Sequence, residues 1–309
     1  MTDNVDQVAV LLCTYNGAHF LDAQLKSIAA LQGCQARLYV SDDGSTDETL
    51  KILCDAHLGE GPHYSHLNSG PGTGPCANFL SLLLSTEVEG RYFAYCDQDD
   101  VWDNDKLSRA LNKMRQLDDN QPLLYCARTR SISTSNKIIG RSPLFRKSPS
   151  FLNALVHNIG GGNTMVMNRA ARQLLNTAGS VDVVSHDWWT YLLVSGAGGT
   201  VIYDPEPSLS YRQHSENQVG ANEGLARRVR RYLKALCGSN RRWNDRNIAA
   251  LRSNMALLTP SNRLVLESFV EFREAGLLKR LLGLKRTGLY AQTFMGNVGL
   301  FFATLLKKI

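Results

Sequence analysis

The stretch Val40-Ser41-Asp42-Asp43-Gly44-Ser45-Thr46-Asp47 places an acidic turn directly after the short β-rich segment at residues 36–40. A second stretch, Tyr95-Cys96-Asp97-Gln98-Asp99-Asp100, repeats this arrangement after residues 91–96. In an open α/β sheet, ligands bind at the edge where strands give way to loops. Asp97 and Asp99 are two residues apart, so in an extended chain they point to the same side. Clustered carboxylates of this kind favour a divalent cation such as Mg²⁺, which takes one or two protein carboxylates plus substrate oxygens.

The surrounding sequence alternates between strand-like and helix-like segments. Apolar runs of strand length recur at residues 8–13, 36–40 and 91–96, and segments with apolar residues at helical spacing follow them. This alternation is typical of βαβ units, so we expect an α/β fold with a Rossmann-like, mainly parallel sheet flanked by helices. The predicted helices are residues 20–31, 47–57, 77–84, 106–117 and 188–195, and further strands are predicted at 123–128, 164–168 and 200–204.

Charge is distributed unevenly along the 309 residues. Residues 1–120 hold 8 Lys/Arg and 18 Asp/Glu, a net charge of −10, whereas residues 221–309 hold 17 and 5, a net charge of +12. The acidic part suits a cation site, and the basic part suits a polyanion such as a membrane surface or a phosphate-bearing substrate. We predict a domain at residues 1–220 and a basic helical region at 221–309. For that region the alternatives are membrane contact and a helical subdomain packed on the domain with a solvated basic face.

The cysteines and the absence of long apolar runs bear on location. The 7 cysteines form no CxxC pair and are odd in number, which indicates reduced thiols rather than disulfides or a zinc site. No segment has the pattern of a secretory signal, and no apolar run approaches the roughly 18 residues of a spanning helix. We therefore predict a cytoplasmic protein, with peripheral contact to the inner face of the cytoplasmic membrane as one reading of the basic region.

Two loops are candidates for binding a nucleotide. Thr14, Tyr15 and Asn16 follow the first strand and offer backbone groups and a stacking face to a base, with an ordinary β–α turn as the alternative. Asp42 and Asp43 follow the second strand and can accept hydrogen bonds from a base or a ribose. The glycine-rich segment 70–75 is neither GxGxxG nor a P-loop, and its prolines remove N–H donors, so it is interpreted as a flexible loop.

Four later residues are candidates for handling a phosphate and a metal ion. Asp97 and Asp99 are the predicted metal ligands, and a solvated acidic loop is the alternative. Arg212 follows the last predicted strand and suits a phosphate clamp. His214 suits a metal ligand or a donor to a leaving phosphate. A surface arginine and a hydrogen-bonded structural histidine are the alternatives for these two residues.

The run Ser185-His186-Asp187-Trp188-Trp189 lies at a predicted helix start. Asp187 is a candidate general base, its pKa expected to be raised by partial burial against the indole rings. The alternative makes Asp187 a helix cap and the two tryptophans part of the core.

The order of these pieces resembles the bacterial family 2 glycosyltransferases, which have the GT-A fold and invert the anomeric centre. The resemblance covers about residues 7–220. Three short motifs, DQDDVW, HDWW and YRQH, look most like the subgroup of rhamnosyltransferases and related hexosyltransferases of surface-polysaccharide assembly. The other matching segments are VAVLLCTYNG, VSDDGSTDET, GGGNTMVMNRAA and SENQVG, the last continuing YRQH.

The resemblance assigns roles to the candidate residues. It implies that Asp43, with Asp42, holds a uracil or thymine ring, and that Thr14, Tyr15 and Asn16 line the nucleotide pocket. It implies that Asp97 and Asp99 are the DxD pair, with Mg²⁺ or Mn²⁺ nearest Asp99. Asp187 matches the catalytic aspartate of a Glu-Asp pair, and His186 stands in place of the glutamate. His186, Trp188 and Trp189 would then lie on the acceptor side.

We therefore predict a metal-dependent, inverting glycosyltransferase. It would move one hexose or deoxyhexose, such as rhamnose or glucose, from a UDP- or dTDP-sugar to a glycan or lipid-linked glycan acceptor, with no nucleic-acid partner. The chain lacks the QxxRW motif of processive members, which indicates addition of a single sugar. The alternatives are a non-catalytic sugar-nucleotide or glycan-binding module and a sugar nucleotidyltransferase, although residues 13–17 lack the basic residue that the latter would want.

Overall fold

The computed structural model describes residues 6–58, 64–214 and 239–309. Its main sheet has seven strands in the order β10-β6-β9-β4-β1-β2-β3. The four strands β3, β2, β1 and β4 are parallel, β9 runs antiparallel between β4 and β6, and β10 is parallel to β6. These strands are β1 Gln7–Thr14, β2 Gln35–Asp42, β3 Tyr64–Ser69, β4 Tyr92–Cys96, β6 Leu123–Ala127, β9 Val166–Asn168 and β10 Thr200–Asp204.

A smaller second sheet lies beside the end of β4. Its order is β5-β11-β7-β8, with β5 Val101–Trp102, β7 Arg130–Ile132, β8 Ile138–Arg141 and β11 Leu209–Arg212. The antiparallel pair formed by Val101 and Ser210 joins β5 to β11. Because β5 directly follows the acidic loop at residues 97–100, this pairing brings the chain around Arg212 against that loop.

Helices cover both faces of the main sheet. β1 is buried on both of its faces, as expected for a central parallel strand. Val10 on one face belongs to a cluster with Leu25 and Leu107, and Leu11 on the other face belongs to a cluster with Trp189. The helices are α1 Ala18–Ala29, α2 Thr49–Leu58, α3 Pro75–Leu84, α4 Lys106–Met114, α5 Phe151–Ala154, α6 Arg169–Ala178, α7 His186–Gly196, α8 Ser239–Ser253, α9 Pro260–Glu274, α10 Leu277–Thr287 and α11 Phe294–Leu305.

The C-terminal helices pack on the sheet domain. Leu251 of α8 and Phe269 of α9 are fully buried and share one hydrophobic cluster with Leu193 of α7. The predicted boundary near residue 220 lies outside the described residues, so the division into two domains stays a prediction. In the described ranges no helix combines the length and the apolarity needed to cross a bilayer.

The fold class predicted from the sequence is confirmed: the protein is α/β, with a mainly parallel sheet flanked by helices. Helices α5 and α6 were not predicted, and neither were two features of the sheets. One is β3, whose sequence YSHLNS is too polar to read as a buried strand. The other is the second sheet, whose strands of two to four residues are too short to show a period.

Candidate functional site

The carboxyl ends of three adjacent parallel strands form the floor of the site. Thr14 at the end of β1 is in register with Asp42 at the end of β2, and Leu12 is in register with Cys96 of β4. The loops that follow are also joined, because the Gln98 side chain exchanges two hydrogen bonds of 2.9 Å with the backbone of Tyr15. The acidic loop after β4 is therefore fixed against the loop after β1.

Both carboxylate oxygens of Asp42 accept hydrogen bonds from neighbouring residues of the protein. Its Oδ1 accepts from the backbone N–H groups of Gly44 (3.1 Å) and Ser45 (2.8 Å). Its Oδ2 accepts from the hydroxyls of Thr14 and Ser45, each at 2.6 Å. Four accepted hydrogen bonds fill the acceptor sites of a carboxylate, and both Asp42 and Thr14 are buried. Asp42 and Thr14 therefore shape the turn that presents Asp43, and their contact with a nucleotide stays a prediction.

Asn16 also acts inside the protein. Its backbone adopts a left-handed conformation (φ +46°), its N–H donates to Ser45 Oγ at 2.9 Å, and its Oδ1 accepts from Thr46 N at 2.8 Å. These bonds tie the loop after β1 to the loop after β2. Tyr15, by contrast, is 58% exposed, so its ring is available for stacking on a base.

Asp43 lies between the sheet edge and the glycine-rich loop. Its Oδ1 accepts from Gly72 N at 2.7 Å and its Oδ2 from Gly74 N at 2.8 Å. Both glycines have positive φ (+69° and +101°), a conformation that glycine adopts without steric cost. The prediction of a flexible loop at residues 70–75 is corrected, because these bonds anchor it. Each carboxylate oxygen of Asp43 keeps one acceptor site for a further donor.

Asp99 and His214 face each other beside the end of β11 in the second sheet. Asp99 Oδ2 lies 2.6 Å from His214 Nε2, and both side chains are largely buried. The carboxylate of Asp99 is of the kind that Mg²⁺ and Mn²⁺ take as a ligand. Among the residues that the structure describes, no group of three His, Cys, Asp or Glu side chains is arranged to hold a metal. Two protein ligands fit Mg²⁺ or Mn²⁺ if substrate oxygens complete the shell.

Asp97 interacts electrostatically with both Asp99 and Asp187. Burial, followed by the negative charges of Asp99 and Asp187, raises the pKa of Asp97 to about 8. These influences indicate that the three carboxylates lie within electrostatic reach of one another. A divalent cation in this cluster would favour the charged form of Asp97 and reverse the direction of the pKa shift.

The buried side chain of Arg212 holds the acidic loop in place through hydrogen bonds. Its guanidinium is 2% exposed and donates to Asp99 O at 3.0 Å and to Asn136 Oδ1 at 2.6 Å. It also stacks over the Phe20 ring at 4.6 Å. These contacts give Arg212 a positioning role, and its use as a phosphate clamp stays a prediction. Asp100 is buried beside it, accepting from the side chain of Asn163 and the backbone of Arg212.

Asp187 lies in the first turn of α7 with one oxygen held. Its Oδ1 accepts from Ser185 Oγ and from Trp188 N (2.7 Å). Its Oδ2 makes no hydrogen bond with any residue in the described ranges. The two bonds to Oδ1 fix the orientation of the carboxylate. This arrangement suits a base that receives a proton on Oδ2.

The three residues predicted on the acceptor side are buried. Trp189 is fully buried, and Trp188 is 8% exposed with Nε1 donating to Ala154 O at 2.7 Å. The His186 ring stacks on Phe79 at 4.1 Å between ring centres and meets Tyr95 edge-on. Burial lowers the pKa of His186 to about 4. The tryptophans are therefore buried core residues, and acceptor contact by these three side chains stays a prediction.

Some supporting residues were not predicted from the sequence. Gln98 holds two loops together, Asn136 and Asn163 anchor the acidic loop, and Ser185 orients Asp187. Gln98 and Ser185 lie inside the motifs that attracted attention, so their position was a signal. The two asparagines come from distant segments, and their partners become evident only once the second sheet is formed.

Comparisons with known proteins identify a family and a fold. The profile described as "Glycosyl transferase family 2" matches residues 9–175. The dTDP-rhamnosyl transferase RfbG of Shigella flexneri is 29% identical over 233 residues, which cover 71% of this chain and 77% of that protein. WfgD of Escherichia coli, a UDP-Glc:alpha-D-GlcNAc-diphosphoundecaprenol beta-1,3-glucosyltransferase, is 27% identical over 192 residues, covering 60% of this chain and 69% of that protein.

Solved structures resemble the whole chain. The structure of S. aureus TarS in complex with UDP-GlcNAc superimposes with a TM-score of 0.54 at 13% identity, covering 98% of this chain and 89% of that one. The mannosyltransferase PcManGT from Pyrobaculum calidifontis, in complex with GDP-Man and Mn2+, gives a TM-score of 0.52 at 17% identity, covering 99% and 86%. At these identities the likeness concerns the fold, and it confirms the expected GT-A type.

Proposed function

The chain belongs to glycosyltransferase family 2, and from that premise we propose that it is an inverting, metal-dependent enzyme of surface-polysaccharide assembly. It would transfer one hexose or deoxyhexose, such as rhamnose or glucose, from a UDP- or dTDP-sugar. The acceptor would be a glycan or lipid-linked glycan of a lipopolysaccharide, O-antigen or exopolysaccharide. The names of RfbG and WfgD, which refer to a dTDP-rhamnosyl donor and to UDP-Glc with a diphosphoundecaprenol acceptor, support this range.

One observation carries the proposal: the unoccupied oxygen of Asp187 belongs to the same charge cluster as Asp97 and Asp99. The pKa of Asp97 responds to the charges of both Asp99 and Asp187, which supports one charge cluster that includes the candidate base and the candidate metal ligand. Transfer from a nucleoside diphosphate sugar needs charge stabilisation at the leaving group and a base at the acceptor hydroxyl. The cluster offers both within one cleft.

The nucleotide would lie against the first two loops. Asp43 has an acceptor site left on each oxygen, which suits the imide N–H of uracil or thymine. The exposed Tyr15 ring can stack on the base. Asp99 and His214 would hold Mg²⁺ or Mn²⁺, which would neutralise the charge that develops on the leaving diphosphate.

Asp187 would perform the proton transfer. Ser185 and the Trp188 N–H fix Oδ1, so Oδ2 would take the proton of the acceptor hydroxyl. The bond from the acceptor oxygen to the anomeric carbon forms as the bond from that carbon to the diphosphate breaks. A single displacement of this kind inverts the anomeric centre and needs no covalent nucleophile.

The test is a donor screen with a matched pair of variants. UDP-glucose, UDP-galactose, UDP-GlcNAc and dTDP-rhamnose are incubated with Mg²⁺ or Mn²⁺, and release of the nucleoside diphosphate is measured. Asp187→Asn should lower kcat by about 10² to 10⁴ while nucleotide affinity stays within about threefold. Asp182→Asn, at an exposed aspartate nearby that pairs with Arg246, serves as the control and should keep wild-type turnover.

Three results would count against the proposal. If Asp187→Asn retains wild-type turnover, Asp187 is not the base. If a donor reacts equally well in EDTA, the metal dependence is wrong. If no donor turns over although UDP or dTDP binds, the alternative of a non-catalytic binding module gains support. The nucleotidyltransferase alternative has no support from the family match.

A further inference from the structure

The last two helices expose many apolar side chains. Among the large apolar residues that the structure describes, Phe294 at 81% and Leu278 at 77% are the most exposed. The exposed set on or next to α10 and α11 lies between 47% and 81% exposure and consists of Leu277, Leu278, Leu282, Phe294, Met295, Phe301, Phe302 and Leu306. We call these residues the α10–α11 apolar surface. Single exposed apolar residues are ordinary, but a group concentrated on two neighbouring helices marks an interaction site.

Helical spacing places these residues on one face of each helix. Leu278 and Leu282 are four residues apart in α10, and Phe294 and Phe301 are seven apart in α11. The opposite faces contact the protein. In α10, Arg280 is buried, and in α11, Ala303 and Thr304 are buried. Each helix therefore uses one face for the fold and presents a second apolar face outward.

The two helices are held together by a buried arginine. Arg280 of α10 donates from Nε to Thr304 O at 2.6 Å and from Nη2 to Leu305 O at 3.1 Å. Its Nη1 donates to Ala275 O at 2.8 Å. These bonds satisfy carbonyl groups at the end of α11, which would otherwise lack helical partners. The apolar surface is thus supported by a fixed pair of helices.

The charge around this surface has one sign. Residues 275–309 contain 6 Lys/Arg and no Asp or Glu. Lys307 pairs with Glu274 at 3.3 Å, and Arg280 is buried as described. The remaining cations, which form no salt bridge with any residue in the described ranges, are Lys279, Lys285, Arg286 and Lys308. Unpaired cations beside exposed phenylalanine and leucine suit an anionic bilayer, where apolar groups enter the headgroup boundary and cations contact lipid phosphates.

We propose that the α10–α11 apolar surface docks the protein on an anionic lipid bilayer. With 12 residues, α11 is about 18 Å long, too short to span a hydrocarbon core of about 30 Å, so it would lie in the interface plane. A two-fold dimer through this surface would place like charges opposite each other and is disfavoured. The inference extends the proposed function by bringing the site to a lipid-linked acceptor, yet lipid binding is measured independently of transfer.

The test is flotation of the full-length protein with vesicles. Phosphatidylcholine vesicles are compared with vesicles containing about 30% phosphatidylglycerol. We expect binding to the anionic vesicles that weakens with added salt. Leu278→Ser with Phe294→Ser should weaken it about tenfold or more. The triple variant Lys279→Gln, Lys285→Gln, Arg286→Gln should weaken it about one hundredfold, since each cation near such a surface contributes about fivefold.

Controls separate lipid binding from folding and from catalysis. Ile138→Ser removes a side chain that is 68% exposed on β8 and should leave vesicle binding unchanged. Nucleoside diphosphate release without lipid should be the same in all variants, because none of these residues lies in the site. Unfolding midpoints confirm that each variant is folded. If the wild type binds anionic vesicles but releases no nucleoside diphosphate, the proposed function is overturned and the docking surface is supported.

Two outcomes would overturn the docking proposal. In the first, the wild type does not bind anionic vesicles, or the surface variants bind them as well as Ile138→Ser does. In the second, analytical ultracentrifugation shows a dimer that Leu278→Ser with Phe294→Ser dissociates, and vesicle binding is absent. The surface would then be an interface between two copies of the chain.

Discussion

Replacing His186 by leucine is expected to make the protein lose less stability in acid than the wild type does. The imidazole is 9% exposed and stacks on Phe79. Its buried Nε2 has no hydrogen-bond partner among the described residues and faces Gly162. Burial, opposed by the charge of Asp187, lowers its pKa from 6.5 to about 4. Leucine has a similar volume, does not titrate, and does not extend toward Gly162 as a phenylalanine ring would.

The magnitude follows from the two pKa values of His186. In the unfolded chain the imidazole binds a proton below about pH 6.5, whereas in the folded protein it stays neutral until the pH approaches 4. The unfolded state therefore binds more protons in this window, so the contribution is complete above about pH 6.5 and is lost as the pH falls toward 4. The difference corresponds to about 3 kcal/mol of unfolding free energy by pH 4. His157 has a pKa lowered to about 4 by the same cause, so the wild type carries both contributions.

The assay is urea unfolding followed by far-ultraviolet circular dichroism between pH 7.5 and 4. The His186→Leu variant should lose about 3 kcal/mol less than the wild type over this range, while at pH 7.5 its stability changes by less than about 1.5 kcal/mol. His19→Leu, at an exposed position, controls for loss of an imidazole and should follow the wild-type curve. An unchanged acid limb in His186→Leu would refute the reasoning. If this variant loses turnover at pH 7.5, the result would support acceptor contact by His186.

Three further predictions concern the supports of the cleft. Asp43→Asn should weaken UDP or dTDP binding about tenfold or more in calorimetry, whereas Asp42→Asn should lower the unfolding midpoint and change affinity less than threefold, because the Asp42 oxygens are already occupied; equal effects on affinity would contradict this division. Arg212→Lys should cost about 2 kcal/mol in urea unfolding and weaken Mn²⁺ affinity, since a lysine cannot hold both Asn136 and the Asp99 backbone; unchanged values of both would show that the support is dispensable. Gly74→Ala should weaken nucleotide binding and cost about 1 kcal/mol through its positive φ, while an alanine that leaves both quantities unchanged would show that the loop is not anchored as described.

The central part of the fold was predictable because it rests on local patterns. β1, β2, β4, β6 and β10 are short apolar runs that alternate with helical periods, and such runs form a parallel sheet wherever their partners lie along the chain. The second sheet was not predictable in this way. β5 has two residues, and its partner β11 lies far away in the sequence.

The candidate site shows the same division at the level of residues. Position after a strand correctly brought Asp43, Asp97 and Asp99 to one sheet edge. The sequence could not show which carboxylate stays available, because the neighbours of Asp42 fill its acceptor sites only in the folded turn. The positioning role of Arg212 could not be predicted for the same reason: its acceptors lie far away in the chain and exist as a set only in the folded protein.

The central claim is that Asp99 and His214 hold a divalent ion that bridges to the donor diphosphate beside Asp187. Anomalous diffraction from crystals grown with Mn²⁺ and UDP tests it most directly. We expect one manganese peak within coordination distance of Asp99 Oδ2 and His214 Nε2, with diphosphate oxygens as further ligands and the uracil ring against Asp43. A manganese ion or a uracil ring bound away from these residues would contradict it.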